Sequence, residues 1–276
     1  MLKIIQITIA IYLFMLLQTA ISSSTPKLQD LSNILQYKLL KNELEDKLYP
    51  IGFSKKGLFA YIEIAADEAV GCYLWSFHIL NLVNDKNIYT LDWKQQEEEC
   101  LDYNFKHLIE KYGSNIQQAL NKYAIDGSKI QLESFPFDYN NHLINATLVI
   151  SQGDKFRSSR PNFNPTPKKS DWAIETVYQV VIHKSITQLK TIGKIIEKKD
   201  NSHCFICQSN ITGYIKSPYE NRIIVIIEQQ ARGWEGPPNV STFKLFGASL
   251  TAGFKAELSS SPAQMKLIPL RDKKEK

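Results

Sequence analysis

The residues with the most distinctive chemistry are four cysteines, two of which form a Cys-x-x-Cys pair. The pair consists of Cys204 and Cys207, His203 precedes it, and the other two are Cys72 and Cys100. Such a pair can be a redox centre or half of a zinc site. A thioredoxin-type centre needs a βαβ context, whereas this pair stands between a polar turn and a predicted strand. The sequence therefore favours structural disulfides and leaves the redox and zinc interpretations open.

An acidic segment is the second candidate for chemistry. Asp67 and Glu68 lie close to Cys72, and Glu63 precedes them in a predicted strand. Carboxylates in this setting can bind a divalent cation or exchange protons with a substrate. No Asp-x-Asp-x-Asp-Gly motif is present, which excludes a calcium loop of the helix–loop–helix type. We expect a solvated loop over 65–71, with Asp67 and Glu68 as candidate binding residues.

The third candidate is the loop that joins the two closing strands of the predicted sheet. It contains Arg232, Trp234 and Glu235 among glycines and prolines. Arg and Trp are frequent at binding hot spots, and glycine lets a partner's backbone approach closely. These three residues therefore form a candidate recognition loop. The alternative is that Trp234 packs back on the sheet while Arg232 pairs with Glu235 or with Glu220.

Motifs of common enzymes are absent from the chain. It has no Gly-x-Ser-x-Gly, no phosphate-binding loop and no His-Glu-x-x-His. The histidines are isolated in sequence and stand at positions 78, 107, 142, 183 and 203. An active site can still be assembled in space, so the sequence favours a non-catalytic protein without excluding an enzyme. It gives no sign of a cofactor.

The elements that must position these residues are mostly strands. Alternating apolar residues predict strands, and apolar residues at helical spacing predict two helices. We therefore predict an α+β fold, a mostly antiparallel β-sheet domain with one long inserted helix and an N-terminal helix. The predicted elements are a strand–turn–strand unit at 51–64, a meander reaching 93, further strands from 129 to 197, a closing hairpin at 222–228 and 240–246, and helices at 25–48 and 94–123.

The first residues have the layout of a secretory signal peptide. A basic start is followed by an apolar run over 4–17 and by small residues up to Ser24. The run is short for a membrane span, so cleavage is preferred over an uncleaved anchor. We predict a signal peptide at 1–22, one domain at 25–255 and a polar flexible tail at 256–276, with no later membrane span. The mature chain is expected in the periplasm or outside the cell.

Composition and charge narrow the classes of partner. The hydrophobic fraction of 43% is typical of a globular protein. The net charge of +5 is spread along 276 residues, without a block of Lys and Arg interleaved with aromatic residues. Nucleic acid is therefore not an expected partner. An unknown protein or a small molecule is the expected one.

Three short motifs follow one another along the chain. They are Gly52-Phe53-Ser54-x-x-Gly57-x-Phe59-Ala60 with a later Asn81-Leu82, then Leu120-x-x-Tyr123-Ala124-Ile125, then Arg232-Gly233-Trp234-Glu235-Gly236-Pro237. In this order they resemble a family of predicted secreted bacterial proteins of unknown function, over roughly residues 50–250. The resemblance implies an exported bacterial protein and transfers no catalytic residue.

Together these observations favour an exported, non-catalytic binding or envelope-associated module. Its expected contact surface combines the Arg232–Pro238 loop with the Asp67–Cys72 loop. The alternative function is a secreted hydrolase or metal-dependent enzyme that uses Asp67, Glu68 and a histidine brought near by folding.

The cysteine chemistry can be tested by counting free thiols in mature protein from an oxidising compartment, denatured with and without a chelator. We expect no free thiols in either sample, because disulfides persist in such a compartment. Peptide mapping would then identify which of the three complete pairings is present. Thiols that appear only with the chelator would instead indicate a bound metal and would favour the enzyme interpretation.

Overall fold

The computed structural model describes residues 44–45, 47–67, 72–93, 105–127, 130–158, 172–185, 188–199, 204–206, 208–232 and 239–256. Within these ranges the chain forms fifteen strands and one helix. In chain order they are β1 (Leu44–Glu45), β2 (Lys47–Phe53), β3 (Leu58–Asp67), β4 (Cys72–Asn81), β5 (Lys86–Trp93), α1 (Phe105–Lys122), β6 (Leu132–Glu133), β7 (Phe137–Tyr139), β8 (His142–Ser158), β9 (Trp172–Ser185), β10 (Gln188–Lys199), β11 (Cys204–Ile206), β12 (Gln208–Lys216), β13 (Arg222–Arg232), β14 (Asn239–Ser249) and β15 (Lys255–Ala256).

The strands form three sheets. Sheet A is the antiparallel meander β2-β3-β4-β5. Sheet B has the order β1-β14-β13-β12-β6, in which β1 is parallel to β14 and the other pairs are antiparallel. Sheet C has the order β11-β10-β9-β8-β7, and β15 also pairs with β10.

The layers stack in the order α1, sheet A, sheet B and sheet C. Leu108, Ile116 and Leu120 recur at multiples of four residues, so they share one face of α1 and pack on sheet A residues such as Ile62 and Phe77. The opposite face of sheet A packs on sheet B. The other face of sheet B packs on sheet C. Sheet B therefore lies between two other sheets.

The central strand of this stack is β13. Its five residues Ile223 to Ile227 are fully buried, with 224 and 226 facing sheet A and 223, 225 and 227 facing sheet C. An unbroken run of β-branched residues is typical of a strand that is covered on both faces. Each of these side chains contributes about 1.5–3 kcal/mol by leaving water. The predicted closing hairpin is confirmed, because β13 pairs with β14 from Arg222 opposite Ser249 to Arg232 opposite Asn239.

The turn between β2 and β3 joins sheet A to the end of α1. Gly57 has a φ of 73° in this turn. Phe53 and Asp126 exchange two backbone hydrogen bonds of 3.1 and 2.8 Å. Gly52 permits this approach, because a Cβ atom there would collide with the carbonyl oxygen of Asp126. The first two motifs noted in the sequence thus meet in space and have a structural role.

Polar contacts hold sheets A and B together at one end of the molecule, which we call the base end and define by the Leu82–Asp85 turn, Arg222 and Ser249. The Arg222 guanidinium donates to the carbonyl oxygen of Leu82 at 3.0 Å. The Asp85 carboxylate accepts a hydrogen bond of 2.6 Å from the backbone N–H of Gly247. These contacts satisfy backbone groups that would otherwise be buried without partners.

Lys190 of β10 extends this arrangement to sheet C. Its ammonium group donates to the carbonyl oxygens of Ser249 and Ala252 and lies 4.8 Å from the centre of the Phe254 ring. Burial, with a smaller effect of the Arg222 charge, lowers the pKa of Lys190 to about 8. The base end therefore joins all three sheets through side chains that bind backbone N–H and carbonyl groups.

The predicted α+β class is wrong, because the described chain is mostly β and contains a single helix. The C-terminal part of the predicted helix at 25–48 forms β1 and the start of β2 instead. Pairing with β14 and β3 overrides the local helical spacing of the leucines there. Residues 25–43 lie outside the described ranges. Within the predicted helix at 94–123, the described helix is α1, and 94–104 also lie outside.

The predicted loop at 65–71 is wrong in its first part. Residues 65–67 continue β3, and Asp67 pairs with Cys72 at the start of β4. The small residues Ala65 and Ala66 resemble loop residues in sequence, but the ladder with β4 satisfies their backbone groups in an extended conformation. Residues 68–71 lie outside the described ranges. The structure also places Ala256, the first residue of the predicted tail, in β15.

Shortening one side chain of β13 tests the importance of its burial. We expect Ile226→Ala to lower the free energy of unfolding by about 3 kcal/mol, because it leaves a cavity between sheets A and B. The matched control is Ile150→Ala on β8, where the isoleucine is 52% exposed and the expected loss is about 0.5 kcal/mol or less. Denaturant unfolding of both variants measures the difference. Equal losses in the two variants would contradict the assignment of β13 as the central strand.

Candidate functional site

The two hairpins that carry the predicted contact residues end at the same end of the molecule. Leu44 pairs with Val240 near the start of β14, and Lys47 pairs with Ile64 near the end of β3. Three residues of extended chain span at most about 11 Å, so these two points are close together. We call this end the loop end and define it by the strand ends Asp67, Cys72, Arg232 and Asn239.

The structure places some of the predicted binding residues and not others. Asp67 is the last residue of β3, and Arg232 is the last residue of β13, where it pairs with Asn239. Both positions therefore belong to the loop end. Glu68, Trp234 and Glu235 lie outside the described ranges.

The fold excludes Glu220, one of the two predicted ion-pair partners of Arg232. Glu220 lies at the base end, where its carboxylate is 3.3 Å from the Arg222 guanidinium. Arg222 and Arg232 are the two ends of β13, which separates them by about 33 Å. Glu220 therefore pairs with Arg222 and is out of reach of Arg232.

Two of the four cysteines belong to strands that the structure describes, and both lie at the loop end. Cys72 begins β4, and Cys204 begins β11, where it pairs with Lys199. The strand position of Cys204 does not match a thioredoxin-type redox centre, in which the first cysteine begins a helix. Cys100 and Cys207 lie outside the described ranges, so the disulfides stay a prediction.

A cluster of polar side chains occupies the rim between sheets A and B. We call it the Glu63–His78 cluster, and it consists of Tyr61, Glu63, His78, Asn87 and Thr90. Tyr61 packs with sheet B residues and is the direct cross-strand partner of His78, which places both on the face toward sheet B. His78 Nε2 lies 3.9 Å from Glu63 Oε2, and their side chains are 12% and 24% exposed. Solvent can therefore reach this pair.

Hydrogen bonds at the other ring nitrogen define the tautomer of neutral His78. The side-chain nitrogen of Asn87 is 3.2 Å from His78 Nδ1, and the Thr90 hydroxyl is 3.1 Å from the same atom. The Asn87 side chain also hydrogen-bonds Tyr61. An amide nitrogen only donates, so Nδ1 accepts, and the ring hydrogen is on Nε2, which faces Glu63.

The surroundings of the cluster favour the uncharged form of each ionisable group. Burial raises the pKa of Glu63, and the Lys244 charge partly opposes the shift. Burial lowers the pKa of His78, and Asp92 partly opposes that shift. The pKa of Tyr61 is raised by burial and then by the charge of Glu63. A carboxyl group with a raised pKa beside a neutral imidazole is suited to taking up and releasing a proton.

Glu63 and His78 lie near each other without bonding directly. At 3.9 Å the two groups are too far apart for a direct hydrogen bond. An oxygen atom of water or of a ligand hydroxyl could accept from His78 Nε2 and donate to Glu63. A carboxyl group and an imidazole therefore lie side by side without a direct hydrogen bond.

His78 is isolated in sequence, but the fold places it beside Glu63, Asn87 and Thr90. In sequence, Tyr61 and Glu63 interrupt an apolar strand at alternate positions, which is a signal of a polar patch on one face. That Tyr61 lies opposite His78 follows only from the register of β3 with β4. This register depends on a hairpin turn that begins after Asp67. The predicted loop, which begins at residue 65, does not lead to this pairing.

Among the described residues, no group of three or more His, Cys, Asp or Glu side chains is arranged to hold a metal ion. In the same ranges, no helix is both long enough and apolar enough to cross a membrane.

Comparison with known proteins returned no match to a protein-family model, to a curated protein or to a solved structure. The resemblance to secreted bacterial proteins of unknown function therefore stays a prediction that rests on the three motifs alone.

The raised pKa of Glu63 has a consequence for stability. A carboxyl group whose pKa is higher in the folded state contributes stability at low pH that is lost as the pH rises through the folded-state pKa. Glu63→Gln removes this loss, so we expect its stability relative to wild type to be greater at about pH 7.5 than at about pH 4.5. Denaturant unfolding at both pH values is the measurement, with Asp138→Asn as a control for the loss of one exposed carboxylate. An unchanged difference between Glu63→Gln and wild type at the two pH values would argue against a costly buried carboxylate.

Proposed function

We propose that this chain is an exported protein, in the periplasm or outside the cell, that acts as a non-catalytic binding or envelope-associated module. The observation that carries the proposal is the convergence of two hairpin ends at the loop end. The Asp67–Cys72 and Arg232–Asn239 strand ends belong to different sheets, yet β1 and β2 connect them directly. Convergence is what a single contact surface built from both loops requires.

The distribution of polar contacts supports the same end as the contact surface. At the base end, Arg222, Asp85 and Lys190 are used to bind backbone groups of neighbouring sheets. Such side chains are committed to holding the fold together. The connection of Arg232 to Asn239 carries Trp234 and Glu235, residue types that favour recognition when they are presented by a rigid pair of strands.

A secreted hydrolase is the second candidate, and one observation favours it. Folding brings His78 next to a carboxyl group on β3, whereas the enzyme interpretation names Asp67 and Glu68. The carboxyl group is Glu63, four residues before Asp67 along the strand. Loss of turnover in Asp67→Asn, with the fold retained, would support the enzyme, whereas loss of partner capture in Trp234→Ala would support the binding module.

Photo-crosslinking in cells that export the full chain tests the binding function. A photoreactive phenylalanine derivative at position 234 is expected to form discrete crosslinked products, because the loop end faces the partner. The matched control is the same derivative at Val83, which is 68% exposed in the turn at the base end. We expect Arg232→Ala to reduce the yield at position 234 by about tenfold, the effect of losing about 1.4 kcal/mol. Identical products from both positions, or none from position 234, would refute the assigned surface.

A further inference from the structure

We propose that the outer edge of β5 is a second binding surface, which takes an extended peptide as an added strand of sheet A. The peptide is of a class in which apolar and basic side chains alternate. We call this surface the β5 edge and define it by residues 89–93. These residues differ from those of the loop end, so the peptide site and the proposed function can be tested independently.

Sheet A has two edge strands, and they differ in how far they are covered. β2 is one edge, and its residues 48–53 are buried. It also contains Pro50, which has no N–H to offer a neighbouring strand. β5 is the other edge, where Ile88 is 40% exposed and both Thr90 and Asp92 are exposed. Of these two edges, β5 is therefore the one that solvent and a partner can reach.

The described part of the chain leaves one side of β5 unpaired. β5 pairs with β4 as far as Trp93, and no other described strand pairs with it. The register is regular from Tyr89 onward, after a bulge that leaves Ile88 without an opposite residue. Alternate residues of an edge strand direct their N–H and C=O groups away from the sheet. Such groups bind the added strand when a peptide extends a sheet.

The side of the β5 edge that faces α1 is apolar. Tyr89 and Leu91 lie on it and pack against the core between α1 and sheet A, and each is partly exposed. The centre of the Tyr89 ring is 5.9 Å from that of Phe77 and 6.1 Å from that of Tyr123, which follows α1. Apolar side chains of an added strand would cover the part of this surface that is in contact with solvent.

The opposite side of the β5 edge is polar and negatively charged. Thr90 and Asp92 lie on it, and the Thr90 hydroxyl is 3.1 Å from His78 Nδ1 of β4. The Asp92 side chain belongs to an exposed residue, and no lysine or arginine occurs between Ile88 and Asp92. Opposite charges on neighbouring strands attract when they share a face, and like charges repel. A lysine or arginine on this side of the added strand is therefore favoured over a carboxylate.

Binding of a defined peptide to the full mature protein tests the proposal. The probe is an acetylated and amidated octapeptide that alternates valine and lysine, and the comparison peptide alternates valine and glutamate. We expect the valine–lysine peptide to bind about fivefold more tightly. Asp92→Lys should reverse the preference, whereas Asp138→Asn, which changes an exposed carboxylate on β7, should leave it unchanged. Equal affinity for both peptides, or a preference that Asp92→Lys does not alter, would overturn the proposal.

N-methylation of the probe tests whether it binds as an added strand. An N-methyl group removes the N–H donor of a residue, and only alternate residues of an added strand donate to its neighbour. We therefore expect methylation of one alternating set of peptide residues to abolish binding, while methylation of the other set leaves binding measurable. Amide exchange in residues 89–93 should slow when the unmodified probe binds. Equal effects of the two methylated sets, or slowed exchange only elsewhere in the protein, would overturn strand addition.

Amide exchange of the free protein distinguishes two other occupants of the β5 edge. Fast exchange at alternate residues of 89–93 in a protein that sediments as a monomer would support an open edge. Slow exchange in a monomer would mean that parts of the chain outside the described ranges cover the edge, and slow exchange in a dimer would mean that a second copy covers it. Either of these results would overturn the peptide site. Neither affects crosslinking from position 234, so the proposed function can fail or hold separately.

Discussion

The burial of both faces of β13 is the constraint on which the other layers depend. Residues 223 to 227 alternate between two interfaces, so sheets A and C each pack on the same short run of isoleucine and valine. The helix α1 packs on the face of sheet A that is turned away from sheet B. Loss of the central strand would therefore expose both sheet interfaces at once, which is why we treat the stack as one cooperative unit.

The two ends of the stack differ in the contacts that the structure describes. At the base end, Arg222, Asp85 and Lys190 bind backbone groups across the sheets. At the loop end, strand pairs from sheets A and B finish next to each other through the connection of β1 to β2. The Glu63–His78 cluster lies between these ends on the rim of the A–B interface, where solvent can reach its ionisable pair.

The sequence predicted the strands better than the class of the fold. The apolar run of β13 and its hairpin with β14 were predictable, because a doubly buried strand has a distinctive composition. The helical spacing of the leucines at 25–48 predicted a helix. This prediction is wrong at the C-terminal end of the segment, where pairing with distant strands decided the conformation. The Glu63–His78 pair could not be predicted in the same way, since it depends on the register of two strands and on a third strand that orients the ring.

Native-state hydrogen exchange of the β13 amides tests the central claim most directly. If β13 holds the stack together, the amides of residues 223–227 should exchange only through global unfolding, with the same free energy as that from denaturant unfolding. Amides of β8 around Ile150, at an exposed position, should exchange with a lower free energy. Exchange of residues 223–227 at a lower free energy than global unfolding would show that the layers separate independently and would contradict the account.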